Sequence, residues 1–198
     1  MLTNNRLGIV GALAILAAGV GLAILLFFVL SGTSQTGSGK AQIGGAFSLT
    51  DQYGQTVTEQ SLRGKPSIMF FGFTNCPEVC PTTLYEITQM LEQLGNDADK
   101  INTVFVSVDP ERDTQAQLAQ YLTAFDPHII GLTGPVDEIA RTAKAFRVYY
   151  KKVPLDGGDY TVDHTALVYM FDKDGEFIAP LNTKQGPETA AAAVRKLL

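Results

Sequence analysis

Residues 67–82 read SIMFFGFTNCPEVCPT, and this stretch joins a predicted strand to the only two cysteines of the chain. The run 67–73 is almost entirely apolar, which is typical of a central strand that is covered on both faces. Cys76 and Cys80 follow where the strand gives way to a helix, which we predict over Thr82–Leu94. Four aliphatic side chains recur there at helical spacing: Leu84, Ile87, Leu91 and Leu94.

The rest of the chain continues the alternation of strands and helices. We predict strands or extended segments at 47–49, 56–58, 101–108, 131–134, 147–151, 165–171 and 176–181, and helices at 114–125, 136–146 and 189–198. A parallel β-α-β unit followed by an antiparallel hairpin and a helix is the thioredoxin arrangement. The predicted fold class is therefore α/β, thioredoxin-like, with a mixed sheet.

An uncharged apolar segment of 24 residues, Leu7–Leu30, precedes this domain. As a helix it would be about 36 Å long, enough to cross a bilayer once. We predict a membrane anchor at 1–30, a flexible Gly/Ser linker at 31–45, and a thioredoxin-like domain at 46–198. A signal peptide cleaved after Ser31 is the alternative. Arg6 before the segment places the N-terminus in the cytoplasm.

Composition excludes several classes of protein. A net charge of −5 excludes a nucleic-acid protein held by a basic stripe, and 45% apolar residues exclude a disordered chain. Two cysteines are too few for a disulfide scaffold or for a four-cysteine zinc or iron–sulfur site. With only two histidines as well, any metal site must be small.

The cysteine pair carries the chemistry. A helix N-terminus has unpaired N–H groups that lower the pKa of a thiol, so we expect both Cys76 and Cys80 to favour the thiolate. If the turn is helical, residues four apart share a face and both sulfurs reach one ion or each other. The three intervening residues leave room for an ion and also permit a disulfide.

His164 is the third candidate ligand. It lies at the start of the predicted strand 165–171, a position that faces the cysteine turn in a thioredoxin-like fold. Two thiolates and an imidazole suit copper in either oxidation state, and zinc accepts the same ligands. Asp163 either orients His164 or is a surface acid. We expect His128 to be a loop residue and the acidic segment 109–113 to be a turn before a helix capped by Thr114.

Four segments resemble, in order and spacing, the Sco (SenC) family: GKPSIMFFGFTNCPEVCPTTL (64–84), SVDPERDT (107–114), GLTG (131–134) and VDHTALVYMFDKDGEF (162–177). The similarity covers nearly all of 47–198, and the N-terminal anchor also looks like that family. The resemblance implies a membrane-tethered copper chaperone that binds Cu(I) or Cu(II) through Cys76, Cys80 and His164. It implies assembly of the binuclear copper centre of cytochrome c oxidase subunit II.

The resemblance also implies a location and further partners. The expected location is a bacterial inner membrane, single-pass, with the C-terminal domain in the periplasm; the mitochondrial inner membrane is the alternative. A Cys76–Cys80 disulfide would block copper binding, and because the periplasm is oxidising, an external thiol reductant is implied. A copper donor is expected as well, and the sequence identifies neither of them.

The sequence leaves two other functions open and argues against a third. A thiol–disulfide oxidoreductase would use Cys76 and Cys80 as its catalytic redox pair and would not need His164. A copper sensor would share the chaperone's ligands. A peroxiredoxin-like peroxidase requires Pro-x-x-x-Thr-x-x before its reactive cysteine, and neither cysteine has that pattern.

Overall fold

The computed structural model of the protein describes residues 43–198, together with Leu22. Apart from Leu22, the predicted membrane anchor at 1–30 lies outside the described residues, as does the linker up to residue 42. Within the described part of the chain, no helix is both long enough and apolar enough to cross a bilayer. At residues 43 and 44, Ile43 lies against the core and the Gly44 amide donates to the carbonyl of Ala145 at 3.0 Å.

Nine strands and four α-helices follow one another along the described chain. The strands are β1 (Ser48–Asp51), β2 (Thr56–Thr58), β3 (Ser67–Gly72), β4 (Asn102–Ser107), β5 (Ile129–Thr133), β6 (Tyr150–Pro154), β7 (Tyr160–His164), β8 (Val168–Phe171) and β9 (Phe177–Leu181). The α-helices are α1 (Val79–Leu94), α2 (Gln115–Leu122), α3 (Val136–Ala145) and α4 (Pro187–Arg195). Short 3₁₀ segments occupy Gly95–Lys100 and Thr183–Gln185.

Seven of the strands form one mixed sheet in the order β2-β1-β5-β4-β3-β8-β9. The central strand β3 pairs in parallel with β4, from Ser67 opposite Asn102 to Gly72 opposite Ser107. On its other side β3 pairs antiparallel with β8. The predicted thioredoxin-like α/β fold with a mixed sheet is confirmed.

The central position of β3 explains its composition. Ile68, Met69, Phe70 and Phe71 are each at most 1% exposed, so successive side chains are buried on both faces of the sheet. Burial of this much apolar surface holds the strand rigidly in place. The strand therefore delivers the segment from residue 73 onward to a defined point at the carboxyl end of the sheet.

Helix α1 begins at Val79, three residues before the predicted start at Thr82, and so includes Cys80. Pro81 follows Cys80, and a proline normally marks a helix boundary. In the first turn, however, its missing N–H has no intrahelical partner to lose. Helix α2 begins as predicted after Thr114, whose hydroxyl accepts the Gln117 amide at 3.2 Å.

The strand that carries His164 differs from the prediction. His164 ends β7 and does not open the strand predicted at 165–171, which begins only at Val168. β7 pairs antiparallel with β6 in a separate two-stranded sheet, with His164 opposite Tyr150. Its five residues, YTVDH, alternate in polarity over too short a span to be recognised beside the stronger apolar run that follows.

Candidate metal centre

The two cysteines lie on opposite sides of a helix start. Cys76 lies in the irregular segment after β3, and Cys80 is the second residue of α1. The two cysteines therefore do not lie on one face of a helix, contrary to the expectation. Instead the Cys80 amide donates to the Cys76 sulfur at 3.3 Å, and the Cys76 amide donates to the carbonyl of Phe73 at 3.3 Å.

The two sulfurs differ in their exposure to solvent. Cys80 is fully buried, whereas Cys76 is only partly buried. Cys76 is therefore the sulfur that solvent reaches, and Cys80 is shielded from it.

His164 reaches the cysteine turn from the separate β6–β7 sheet. Its Nε2 lies 3.5 Å from the Cys80 sulfur, although 84 positions separate the two residues in the chain. Its Nδ1 lies 3.2 Å from the carbonyl of Thr165, and a proton on Nδ1 would leave the lone pair of Nε2 directed at the sulfur. Asp163 is exposed, as a surface acid is, and the carbonyl of Thr165 is the hydrogen-bond partner of the ring.

Two buried aromatic rings fix the imidazole from the side of the core. The Phe73 ring meets His164 edge-on at a centroid distance of 5.7 Å, and the Phe70 ring does so at 6.4 Å. Both phenylalanines are at most 1% exposed. Since such closely packed rings restrict rotation, the imidazole keeps its direction toward the cysteines.

The three predicted ligand groups meet at one point. The sulfurs of Cys76 and Cys80 and a ring nitrogen of His164 all lie within 4.8 Å of one another. Bonds from sulfur or nitrogen to a metal are about 2.0–2.3 Å long, so small side-chain rotations allow all three atoms to share one ion. Among the described residues no other group of three such side chains is found.

Burial shifts the pKa of two of these groups. Burial raises the pKa of the Cys80 thiol, and the nearby Cys76 adds to the rise. Burial also lowers the pKa of His164, which keeps the imidazole neutral and able to act as a ligand at neutral pH. The expectation of a low pKa is therefore wrong for Cys80, because loss of solvation outweighs the helix N-terminus. A bound metal cation would supply a positive charge beside Cys80 and so favour its thiolate.

His128 lies apart from this site, as expected. Its Nδ1 lies 2.6 Å from a carboxylate oxygen of Asp126, and its Nε2 lies 3.2 Å from one of Asp99. The side chain is 38% exposed and takes part in surface ion pairing when protonated.

Asp109 and Asp113 are residues whose importance the sequence did not reveal. Both lie in the segment predicted as a turn, and both are fully buried. Asp113 accepts hydrogen bonds from the amide and hydroxyl of Thr74, two residues before Cys76. The available signal was a pair of acidic residues four apart, next to an apolar strand, which is also common on exposed turns.

The comparisons with known proteins agree with this geometry. The family model for SCO1/SenC matches residues 35–198. Protein SCO1 homolog 1 of Arabidopsis thaliana, a mitochondrial protein, is 43% identical over 142 residues, which is 71% of this chain and 42% of that protein. The chain spans 42% to 61% of the length of this protein and of the Sco1 proteins of Schizosaccharomyces pombe and Saccharomyces cerevisiae.

Two solved structures extend the comparison. Bradyrhizobium japonicum ScoI, solved with copper bound, is 56% identical with a TM-score of 0.77, covering 79% of this chain and 99% of that one. BsSco, which is described as having a disulfide switch and as a member of the Sco family of cytochrome c oxidase assembly proteins, is 27% identical with a TM-score of 0.61. It covers 77% of this chain and 91% of its own. The chain therefore belongs to the SCO1/SenC family.

Proposed function

We propose that this protein binds one copper ion through Cys76, Cys80 and His164 and delivers it during assembly of cytochrome c oxidase. The convergence of the two sulfurs and the imidazole nitrogen within 4.8 Å of one another carries the proposal. The copper-bound state of the similar ScoI structure supports the choice of metal. In this reading copper is the cargo of the protein.

The chemistry of the donors favours copper over harder cations. Two sulfurs and an imidazole are soft or borderline ligands, whereas magnesium and calcium require oxygen. Zinc accepts the same three ligands, so competition between zinc and copper belongs in the test. The set suits Cu(I) through its sulfurs and Cu(II) through its nitrogen.

The recipient in this proposal is subunit II of cytochrome c oxidase, with its binuclear copper centre. Cys76 is partly exposed, so ligands of a docked partner can approach the ion from its side. Cys80 is buried and holds the ion until exchange is complete. Transfer then proceeds by replacement of one ligand at a time, without loss of the ion to water.

Redox state gates this binding in the proposal. Oxidation of the two thiols to a Cys76–Cys80 disulfide releases two protons and two electrons to an oxidant, and the disulfide no longer ligates copper. A thiol reductant and a copper donor are then needed to reload the protein. The disulfide switch described for BsSco supports this part of the proposal.

The location belongs to the same proposal. Residues 1–30 anchor the chain as a single span in a bacterial inner membrane, and residues 31–45 link the span to the domain in the periplasm. The uncharged segment Leu7–Leu30 supports this arrangement. The mitochondrial inner membrane is the alternative location, since some relatives are mitochondrial.

Copper stoichiometry of the full-length chain, purified in detergent under reducing conditions, tests the ligand assignment. We expect one copper per chain for the native protein and sharply less for Cys76→Ser, Cys80→Ser and His164→Ala. His128→Ala is the matched control, because it removes the other histidine and should leave the copper content unchanged. Full copper content in any of the three ligand variants would overturn the assignment.

A thiol–disulfide oxidoreductase acting on oxidised cysteines of the oxidase copper site is a second candidate. The specific observation in its favour is the Cys76 sulfur, which is partly exposed and accepts the Cys80 amide at 3.3 Å. Attack by Cys76 on a partner disulfide and resolution by Cys80 would leave the partner reduced and this chain oxidised. His164→Ala discriminates, because a reductase keeps its exchange activity and a copper carrier loses transfer.

A further inference from the structure

Building on the proposed copper binding, we propose that the turn Asp109–Asp113 is a positioning device that sets the spacing between the cysteine turn and His164. Asp113 holds the segment that carries the cysteines. Asp109 and Arg112 hold the strand that carries His164. One five-residue turn thereby connects the two halves of the ligand set, without any of its residues touching the ion.

The turn is held by internal hydrogen bonds, and its two aspartates are buried although Glu111 is exposed. It follows β4 directly, and both Asp109 and Asp113 are fully buried. The carbonyl of Asp109 accepts the amides of Arg112 at 3.2 Å and of Asp113 at 2.9 Å. The Asp109 amide donates to the hydroxyl of Ser107 at 3.0 Å. The backbone of the turn is therefore held in one conformation, and this fixes the directions of the two aspartate side chains.

Asp113 connects the turn to the cysteine segment. One of its carboxylate oxygens accepts the Thr74 hydroxyl at 2.6 Å, and the other accepts the Thr74 amide at 2.9 Å. The second oxygen also accepts the Ser107 hydroxyl at 2.6 Å. A buried carboxylate with three donors is costly to move, because each broken bond leaves a buried group unpaired. Thr74, two residues before Cys76, is thus fixed relative to β4.

Arg112 and Asp109 connect the same turn to β7 through Tyr160. The guanidinium of Arg112 stacks on the Tyr160 ring, with 3.8 Å from its central carbon to the ring centroid. It also donates to the Tyr160 carbonyl at 2.9 Å and to Asp109 at 2.5 Å. The Tyr160 hydroxyl donates to the other carboxylate oxygen of Asp109 at 2.8 Å. The tyrosine is therefore held by its ring, its hydroxyl and its backbone.

Tyr160 and His164 are the first and last residues of β7. Residues four apart on a strand face the same side and lie about 13 Å apart, so the position of one end determines the other. The β6–β7 pair is not hydrogen-bonded into the seven-stranded sheet. Main-chain pairing with the seven-stranded sheet therefore does not place His164 against Cys80. Side-chain contacts, such as those of Tyr160 with Arg112 and Asp109, must do so.

Arg112→Met in the full-length chain tests the half that holds His164. We expect copper affinity to fall about 10- to 100-fold, as for other residues that orient a metal ligand. If Arg112 acts through His164, the same substitution has no further effect in the His164→Ala background. Asp113→Asn, which acts on the cysteines, should still weaken binding in that background. Arg141→Met removes an arginine from surface ion pairs on α3 and is the matched control.

A measurement on the copper-free protein separates this proposal from the proposed function. In Arg112→Met we expect the side-chain ¹⁵N resonances of His164 to broaden or shift, with those of His128 unchanged. Tyr160→Phe removes only the hydroxyl bond to Asp109, so it carries the test if Arg112→Met does not fold. Native-like copper affinity and native His164 resonances in both variants would overturn the positioning role. Failure of the unmutated protein to bind copper would instead overturn the proposed function.

Discussion

Gly72 leaves the space that the sulfur of Cys80 occupies. A Cβ atom at Gly72 would lie 2.7 Å from that sulfur and 2.8 Å from a ring carbon of Phe105. Real side chains do not approach this closely, so either Cys80 or the ring would have to move. The last residue of β3 must therefore be glycine if the Cys80 sulfur is to keep its buried position in the site.

Gly72→Ala should consequently lower both stability and copper affinity. We expect a loss of about 1–3 kcal/mol in the free energy of unfolding, typical of overpacking in a core. Chemical denaturation and a competition assay for Cu(I) measure the two effects. Gly131→Ala is the matched control on β5, since its Cβ would meet a Leu122 methyl group at 2.6 Å, away from the site. Equal copper affinity in the two variants would contradict the steric argument.

The two cysteines should differ in reactivity in the copper-free reduced protein. Cys80 is fully buried, and burial raises its pKa, whereas Cys76 is partly exposed. Only thiolates are alkylated, so Cys76 in Cys80→Ser should react with iodoacetamide at least about tenfold faster than Cys80 in Cys76→Ser. In denaturant the rates should converge. Similar alkylation rates in the two folded variants would contradict the prediction, because they would mean that Cys80 is accessible and ionised.

Stability should depend on pH through His128. Its hydrogen bond with Asp126 raises the pKa of His128 above its ordinary value of 6.5. A raised pKa adds stability that is complete below 6.5 and is lost as the pH rises through the folded value. His128→Asn should thus destabilise the protein more near pH 5.5 than near pH 8.5. We expect a difference of about 0.5 kcal/mol, because the pair is screened by solvent. No difference between the two pH values would contradict the pairing.

His164 should act in the opposite direction in the copper-free protein. Burial lowers the pKa of His164 below 6.5, so in acid the unfolded chain takes up a proton more readily than the folded one. The folded state therefore loses stability as the pH falls below 6.5. With a copper chelator present, urea denaturation of His164→Asn should show a weaker loss toward acid than the native chain. A steeper loss in the variant would contradict the prediction, because it would mean that the folded site stabilises the protonated imidazole of His164.

Local patterns were sufficient for most of the fold. The apolar run before Cys76 predicted β3, and the spacing of Leu84 and Ile87 predicted α1 except for its first turn. The weak alternation of β7 was missed, because five residues of mixed polarity give too little periodic signal. Its pairing with β6 could be recognised only once the intervening turn had brought the two segments together.

The sequence by itself named the candidate ligands, since Cys76, Cys80 and the two histidines are all the thiols and imidazoles of the chain. It also determined the rigid strand that ends at Gly72, because a buried strand is encoded by its own apolar residues. The sequence already favoured His164 over His128, but only the tertiary structure showed that its ring lies 3.5 Å from the Cys80 sulfur and that Asp109 and Asp113 are buried. The physical reason is that these contacts join residues far apart in the chain. Their proximity depends on sheet order and on side-chain packing, and the hydrophobic periodicity within a single segment does not reveal either.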